Sequence, residues 1–296
     1  MRQPRTRSRN DRNVDLVLDE FLSRLVGLEA LVDPARYVDF LRGCIEPMSA
    51  DLEVVRDETA HERDPSTLRF AMLLDVLAAD LPPLPLGLSG TVAAYADGLF
   101  ARRDPLMLDN WASDVGHHAW ISSSLPRKAR VLSSIIRFCR SRSGLELGTG
   151  YGIGSAFLLG SLAANAEDAR LTTVEKWQPV HALASEQLRA SFGDNIDARL
   201  GSVTMIVQQL VDEARRFEFV FHDAMHSGEV FLADFRALLP LLEPGAVVVF
   251  DDINWSDARF TAPGLSCHEA WLELTTLREV RVAVEVDSSV GVLLLA

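Results

Sequence analysis

The sequence predicts an α/β fold in which a mainly parallel sheet carries helices on both faces, preceded by an all-helical N-terminal segment. Three observations carry this prediction. Strand-like and helical stretches alternate from Leu145 onward, a glycine-rich turn follows the first strand, and only Asp287 to Val290 separate the last two strands. Regular alternation implies a parallel sheet, and so short a connection implies that the last two strands pair antiparallel.

Composition excludes several classes of protein. The chain has 296 residues, 48% of them hydrophobic, and a formal net charge of −13. The negative charge disfavours a general nucleic-acid binder, which needs a basic face. The scattered cysteines Cys44, Cys139 and Cys267 predict neither a disulfide framework nor a zinc site. No apolar run approaches membrane-spanning length, so we expect a cytoplasmic protein without a membrane partner.

The first third of the chain differs from the rest. Residues 1–12 are rich in arginine and poor in apolar side chains, which predicts a disordered basic tail. Residues 13–105 show no strand-like alternation and are expected to form a helical domain that mediates homo-oligomer contacts. Apolar periodicity or a helix-start signal marks four stretches there: 14–25, 33–41, 66–79 and 91–102.

Residues 106–296 form the second predicted domain, and each of its elements has a pattern of its own. Seven short apolar stretches are strand candidates: 145–147, 171–175, 196–200, 217–222, 246–251, 279–286 and 291–295. Helices are expected over 127–140, 153–164, 178–191, 203–215, 228–241 and 267–277.

The turn after the first strand, LELGTGYGIGS over residues 145–155, has glycine at alternate positions. Such glycines allow positive φ and the close approach of a ligand, and a strand–helix turn directs free N–H groups outward. The dinucleotide fingerprint needs glycines at i, i+2 and i+5. Counting from Gly148, Gly150 or Gly152, position i+5 is never glycine, so a nicotinamide cofactor is disfavoured.

Glu146, two places before the first glycine, followed by G-T-G-Y-G, resembles motif I of class I S-adenosylmethionine (SAM) methyltransferases. The resemblance covers about residues 110–296. It implies a Rossmann-like sheet of seven strands, the last antiparallel, with SAM as cofactor and the glycines under its methionine part. A carboxylate at the end of the second strand can accept both ribose hydroxyls. The candidate cofactor-binding residues are Glu146, Gly148, Gly150, Gly152, Ser155, Glu175, Gly201, Ser202 and Asp223.

Carboxylates follow two neighbouring strands of the predicted sheet. Asp223 comes after the fourth strand, and Asp251 and Asp252 come after the fifth. Three close carboxylates repel one another unless a cation lies among them. Mg²⁺ or another hard divalent ion prefers oxygen ligands, so these three aspartates form a predicted metal site.

The spacing D-x-x-H from Asp223 to His226, with D-D-x-x-W from Asp251 to Trp255, resembles metal-dependent small-molecule O-methyltransferases. Catechol O-methyltransferase-like enzymes carry an aspartate after the fourth strand and an Asp-Asn pair after the fifth. The Asp251-Asp252 pair and the histidine at 226 look closer to the macrocin/mycinamicin-type sugar O-methyltransferases.

Catechol-type enzymes have a lysine as general base at this place, where this chain has His226. A histidine, with a pKa near ~6.5, can also remove a hydroxyl proton at neutral pH. The alternative is that His226 caps the following helix or bonds a carboxylate. His222 is expected to be structural or to lie against the adenine.

Residues 111–124 combine aromatic and polar side chains, which favours a lid or substrate wall over the site. The candidate substrate residues are His117, His118, Trp120 and Trp255. The combined prediction is a SAM- and metal-dependent O-methyltransferase acting on a small molecule, such as a sugar or catechol-like natural product.

Four alternatives stay open at this point. They are a metal-free methyltransferase acting on nitrogen or carbon, a SAM-binding fold with other chemistry, a nicotinamide-dependent reductase, and a non-enzymatic SAM-binding scaffold. Activity in EDTA, product mass and NADH binding separate the first three. A scaffold would have no need of clustered carboxylates beside His226.

Overall fold

A computed structural model describes residues 50–57, 65–79, 87–108, 111–122, 126–255 and 264–296. Its main feature is an eight-stranded sheet in the order β1-β9-β10-β8-β7-β4-β5-β6. The strands are β1 Leu52–Asp57, β4 Ser143–Leu147, β5 Arg170–Glu175, β6 Ile196–Leu200, β7 Phe217–His222, β8 Leu242–Phe250, β9 Val280–Val286 and β10 Val290–Leu295. The predicted tail over 1–12 and the predicted helices over 14–25 and 33–41 lie outside the described residues.

The five strands β8, β7, β4, β5 and β6 run parallel to one another, and β6 is the edge strand on that side. Strands covered by helices on both faces are apolar along their length rather than alternating. The stretch from Ala246 to Phe250 in β8 shows this, since all of its residues are buried. The seven strands expected from the sequence are all present.

The antiparallel end of the sheet was also predicted correctly. Strand β10 lies between β8 and β9 and pairs antiparallel with both. The turn from β9 to β10 places Asp287 and Ser288 at φ of 53° and 52°. Left-handed backbone at both central positions matches the twist of a tight hairpin.

Strand β1 corrects the prediction that residues 13–105 are all helical. It pairs antiparallel with β9 at the sheet edge. Its sequence, LEVVRD, has no clear alternation, and Val54 is 52% exposed. The strand is held by its distant partner and by Arg56, whose guanidinium donates to the carbonyl oxygens of Thr275 and Leu277 at 2.7 Å each. Local periodicity does not register such non-local pairing.

Helices cover both faces of the sheet. The first face carries α1 Pro65–Ala79, α2 Leu88–Phe100, α4 Pro126–Cys139, α5 Ile153–Ala163 and α6 Gln178–Phe192. The other carries α7 Val203–Asp212, α8 Gly228–Leu238 and α9 Cys267–Thr275. Helix α1 packs against α4, and α2 packs against α5, so the N-terminal helices extend the first layer.

A small hairpin precedes α4. Strands β2 Pro105–Leu108 and β3 Trp111–Asp114 pair antiparallel and lead into the short helix α3, Val115–Ile121. The predicted domain boundary near residue 105 falls at the start of this hairpin. None of the helices in the described ranges has the length and apolar character to cross a membrane.

Candidate functional site

The candidate site lies at the carboxyl ends of the parallel strands, where open α/β sheets bind their ligands. Backbone hydrogen bonds hold these ends side by side. The N–H of Asp223 donates to the Leu147 carbonyl at 2.8 Å, and the N–H of Asp251 donates to the His222 carbonyl at 2.9 Å. The residues that follow β4, β7 and β8 are therefore held next to one another.

The glycine turn between β4 and α5 contains two kinds of glycine. Gly148 has φ of 103°, and a Cβ there would lie 2.1 Å from the carbonyl oxygen of Asp223. This glycine is required by the close approach of the chain after β7. Gly150 has φ of 50°, and a Cβ there would meet no atom within 4 Å. Open space above Gly150 leaves room for a ligand to approach the backbone.

A buried hydroxyl–carboxyl network lies beneath this turn. Glu146 is 1% exposed, and its Oε2 accepts hydrogen bonds from Ser155 and, at 2.6 Å, from Thr173. Burial raises the pKa of Glu146 to about 8, although the two hydroxyl bonds act in the opposite direction. Burial thus favours the neutral carboxyl form of Glu146. Both Glu146 and the fully buried Ser155 support the turn from below rather than lining its open side.

Glu175, at the end of β5, fixes the turn from the other side. Its Oε2 accepts from the N–H of Gly150 at 3.0 Å, and its Oε1 accepts from the N–H of Trp177 at 2.9 Å. Each carboxylate oxygen keeps a second lone pair for a further donor. Glu175 therefore holds the open glycine in place and can still accept hydroxyl groups.

The end of β6 adds an apolar border beside Glu175. The N–H of Gly201 donates to the Glu175 carbonyl at 2.9 Å, and the Ser202 hydroxyl caps α7 by accepting from the Met205 N–H at 3.3 Å. Leu200 and Met205 are 42% and 46% exposed, which is unusual for large apolar side chains. An exposed apolar border of this kind suits a flat heteroaromatic ring.

Three carboxylates, one histidine and one lysine form what we call the carboxylate cluster: Asp223, Asp251, Asp252, His226 and Lys128. The Lys128 ammonium lies 2.5 Å from Asp251 Oδ2 and 3.8 Å from Asp252 Oδ1. Asp251 Oδ1 accepts from the N–H of Asp252 at 2.8 Å. Asp252 itself has φ of 52°, a left-handed conformation that Asp tolerates better than most residues.

Lys128 is a functional candidate that was not predicted from the sequence. Its charge changes the expectation that the three aspartates need a metal ion. Repulsion among the aspartates was expected to require a metal ion, but the chain supplies a positive charge of its own. Lys128 comes from the first turn of α4, far away in sequence. The sequence feature that could have pointed to Lys128 is the rarity of lysine, since the chain has only two, Lys128 and Lys176.

Whether the cluster suits a divalent ion depends on its donors. Within the described parts of the chain, no group of three or more His, Cys, Asp or Glu side chains is arranged as a preformed metal site. The donor chemistry fits, however, because three hard oxygen ligands surround the positive groups. Burial and the charge of Asp251 raise the pKa of both Asp223 and Asp252. Both carboxylates therefore hold their negative charge less readily than in water, even with Lys128 beside them.

His226 faces the same cluster. Its Nε2 lies 3.3 Å from Asp252 Oδ2 and 3.6 Å from Asp223 Oδ1, and neither contact has hydrogen-bond geometry. The Trp255 ring lies over the imidazole, with ring centroids 5.0 Å apart. Burial lowers the pKa of His226, but the nearby aspartates outweigh this effect and the net shift is upward. A histidine in this role needs no large pKa shift, and the upward direction in His226 follows from its position beside the aspartates.

His222 lies apart from this chemistry. It is fully buried, its Nε2 is 2.8 Å from Asp234 Oδ2, and its ring stacks on Phe250 with centroids 5.1 Å apart. The structural alternative expected for His222 is the one observed.

The predicted substrate wall meets the site through α3. The His118 ring contacts Tyr151 of the glycine turn edge-on, with centroids 5.3 Å apart. Burial and the neighbouring His117 lower the pKa of His118 to about 4, so this imidazole is neutral. The N–H of His117 donates to Asp114 Oδ1 at 2.8 Å, and Trp120 lies on the same helix. Helix α3 therefore lies beside the glycine turn, which is where the predicted substrate wall would have to lie.

Comparisons with known proteins match the part of the chain that contains this site. Residues 145–253 match a family model described as a methyltransferase domain. Caffeoyl-CoA O-methyltransferase 1 of Eucalyptus globulus is 22% identical over 167 residues, 54% of this chain. A caffeoyl-CoA O-methyltransferase of Eucalyptus gunnii matches at the same identity. The chain spans 65% and 64% of the lengths of these two relatives.

Two solved structures of other proteins are similar to this one. The SAH-bound methyltransferase PaMTH1 of Podospora anserina has a TM-score of 0.52 at 14% identity, covering 70% of this chain and 88% of that one. An O-methyltransferase of Bacillus cereus in complex with SAH has a TM-score of 0.49 at 18% identity, covering 76% and 96%. The likeness to PaMTH1 agrees with the predicted methyltransferase-type sheet, and at this identity it concerns the fold alone.

Proposed function

We propose that this protein transfers the methyl group of SAM to a hydroxyl oxygen of a small molecule. One observation carries the proposal: an open glycine turn and a carboxylate–histidine cluster lie at adjacent strand ends of one sheet. The first suits a cofactor with a polar, partly anionic portion, and the second suits proton removal from a polar substrate. The matching methyltransferase-domain model and the caffeoyl-CoA O-methyltransferase relatives support the same reaction class.

The cofactor would lie along the ends of β4, β5 and β6. Its methionine part would pass over Gly150, where the backbone faces open space. Its ribose hydroxyls would donate to Glu175, and its adenine would lie against Leu200 and Met205. The other proposed cofactor residues frame this path: Glu146, Gly148, Gly152, Ser155, Gly201, Ser202 and Asp223.

His226 is the proposed general base. Its Nε2 takes the proton of the substrate hydroxyl, and the oxygen attacks the methyl carbon in line with the departing sulfur. The carbon–sulfur bond breaks, the positive sulfonium becomes neutral S-adenosylhomocysteine (SAH), and the proton stays on His226. Positioning and charge neutralisation supply most of the rate enhancement in such a step.

Asp223, Asp251 and Asp252 would hold a divalent cation, Mg²⁺ in the simplest case, provided that Lys128 leaves Asp251. Bound there, the ion would supply orientation of the substrate oxygen and a lower pKa for its proton. Trp255 and the α3 residues His117, His118 and Trp120 would form the substrate wall. The proposed substrate is a hydroxylated natural product with a second oxygen nearby, either a sugar or a catechol-like ring.

Isothermal titration with SAM and SAH tests the proposal, first with Mg²⁺ and then with EDTA. We expect nucleoside binding, together with a separate Mg²⁺ heat that disappears in the variant Asp251→Ala/Asp252→Ala. Absence of nucleoside binding would overturn the cofactor assignment. Nucleoside binding without any Mg²⁺ response would instead favour metal-free methyl transfer.

A further inference from the structure

We propose that Lys128 is an internal counterion of the carboxylate cluster that competes with the divalent cation and thereby sets its affinity. The ammonium contacts Asp251 Oδ2, the carboxylate oxygen that the cation would use as a ligand. This inference rests on the proposed function, because it concerns the cation of that same site.

Contacts at Asp251 carry the first step. The Lys128 side chain is 14% exposed and that of Asp251 is 3% exposed, so the 2.5 Å ion pair between them is largely shielded from water. The other carboxylate oxygen of Asp251 already accepts the N–H of Asp252 at 2.8 Å. A cation that ligates Asp251 through Oδ2 would lie within contact distance of the ammonium. The two positive charges would repel each other strongly at so short a separation, so binding of the cation favours withdrawal of the ammonium.

The position of Lys128 on its helix carries the second step. Lys128 lies in the first turn of α4, which has no acidic residue. The N-terminus of a helix carries partial positive charge and disfavours a nearby cation. Lys128 is therefore held by the aspartates against the field of its own helix. Once a divalent ion neutralises Asp251, nothing among the contacts at Asp251 favours retention of the ammonium.

Arg127 offers a matched comparison on the same helical turn. Its guanidinium forms two bonds with Asp287, at 2.6 and 2.7 Å, and Asp287 is not a member of the carboxylate cluster. Both basic residues clamp the start of α4 to the sheet, but only the Lys128 pair involves a proposed ligand. Removal of Arg127 thus controls for a general loosening of α4.

The first test measures Mn²⁺ affinity by isothermal titration of the full-length protein saturated with SAH. We expect Lys128→Met to bind Mn²⁺ about tenfold or more tightly than the wild type, because a positive charge beside the ligand is removed. Lys128→Arg, which keeps the charge, and Arg127→Gln should stay close to the wild type.

The outcomes separate this inference from the proposed function. Equal or weaker Mn²⁺ binding by Lys128→Met would overturn the competition and make Lys128 a positioning residue for Asp251. No Mn²⁺ binding by any variant, with SAH binding intact, would overturn both the inference and the proposed cation site. Loss of SAH binding by the wild type would overturn the cofactor assignment itself.

A second test needs no variant at position 128 and therefore does not depend on its folding. The chain has only two lysines, so wild-type protein with ¹³C-labelled lysine gives two assignable Cε–H signals. Lys176→Arg identifies the signal of Lys128. We expect Mg²⁺ to move that signal toward the shift and narrow line of a mobile lysine. An unchanged Lys128 signal at Mg²⁺ concentrations that saturate the protein would overturn the displacement.

Discussion

His226 has its ionisation set by the residues around it. Its ring is fixed beneath Trp255, and its Nε2 points between Asp223 and Asp252 without a hydrogen bond of good geometry. A nitrogen held in this way is available to a substrate proton. The nearby carboxylates favour the imidazolium, so the proton taken in the reaction has a stable place on His226.

The upward pKa shift of His226 gives a prediction for the metal-free protein. Following the histidine Cε1–H signal by NMR, we expect His226 to titrate above ~6.5, the ordinary value. Because negative charge raises this pKa, Asp252→Asn should move the titration to lower pH. The variant His226→Gln assigns the signal. A midpoint at or below the ordinary value in the wild type would contradict the role given to the aspartates.

Removal of the proposed base should affect turnover more than binding. His226→Gln keeps a polar side chain but cannot accept the proton, so kcat should fall about 10²- to 10⁴-fold. SAH affinity, measured by titration calorimetry, should change little because His226 lies outside the proposed cofactor path. Retention of full activity would assign proton removal to another group.

Glu146 predicts a pH dependence of stability with a definite sign. Burial raises its pKa to about 8 in the folded protein from 4.5 in the unfolded chain. The unfolded chain therefore loses this proton first, and stability falls as pH rises from about 4.5 to about 8. Glu146→Gln should abolish this loss and exceed the wild type at pH 8 by roughly 2–4 kcal/mol. Urea unfolding at several pH values measures it, with the exposed Glu186→Gln as control.

At the scale of the element, the glycines of the turn have different roles because they face different neighbours. Gly148 makes room for the chain after β7, whereas Gly150 faces open space and is held by Glu175. The sequence predicted a ligand-binding turn from glycine spacing alone. It did not reveal which glycine serves the fold, because that depends on a residue 75 positions away along the chain (Asp223 relative to Gly148).

Two alanine substitutions separate these roles. Gly148→Ala should destabilise the protein by roughly 3 kcal/mol or more, since its Cβ would meet the Asp223 carbonyl oxygen at 2.1 Å. Gly150→Ala should cost only about 1 kcal/mol for its left-handed backbone, yet weaken SAH binding. Urea unfolding and titration calorimetry measure the two effects. Unchanged SAH affinity in Gly150→Ala would place the cofactor elsewhere.

At the scale of the molecule, local patterns predicted the parts of the fold that are locally encoded. Buried strands leave continuous apolar runs and amphipathic helices leave periodic signals, so the seven strands and the helices between them followed from the sequence. Strand β1 did not, because its pairing with β9 joins segments more than 200 residues apart, as Leu52 opposite Val286 shows. Lys128 was missed for the same reason, since 123 positions separate it from Asp251.

Strand β1 joins residues 52–57 to the edge of the main sheet, which predicts that this part of the chain unfolds cooperatively with the sheet. Arg56→Met removes two guanidinium bonds, to Thr275 and Leu277, that tie β1 to the end of α9. We expect calorimetry to show a single transition for both proteins, with the variant less stable by roughly 2 kcal/mol. Arg278→Met, which alters a 93% exposed side chain, should leave that transition in place. Two transitions in the wild type, with only the smaller one shifted by Arg56→Met, would instead favour the separate helical domain expected from the sequence.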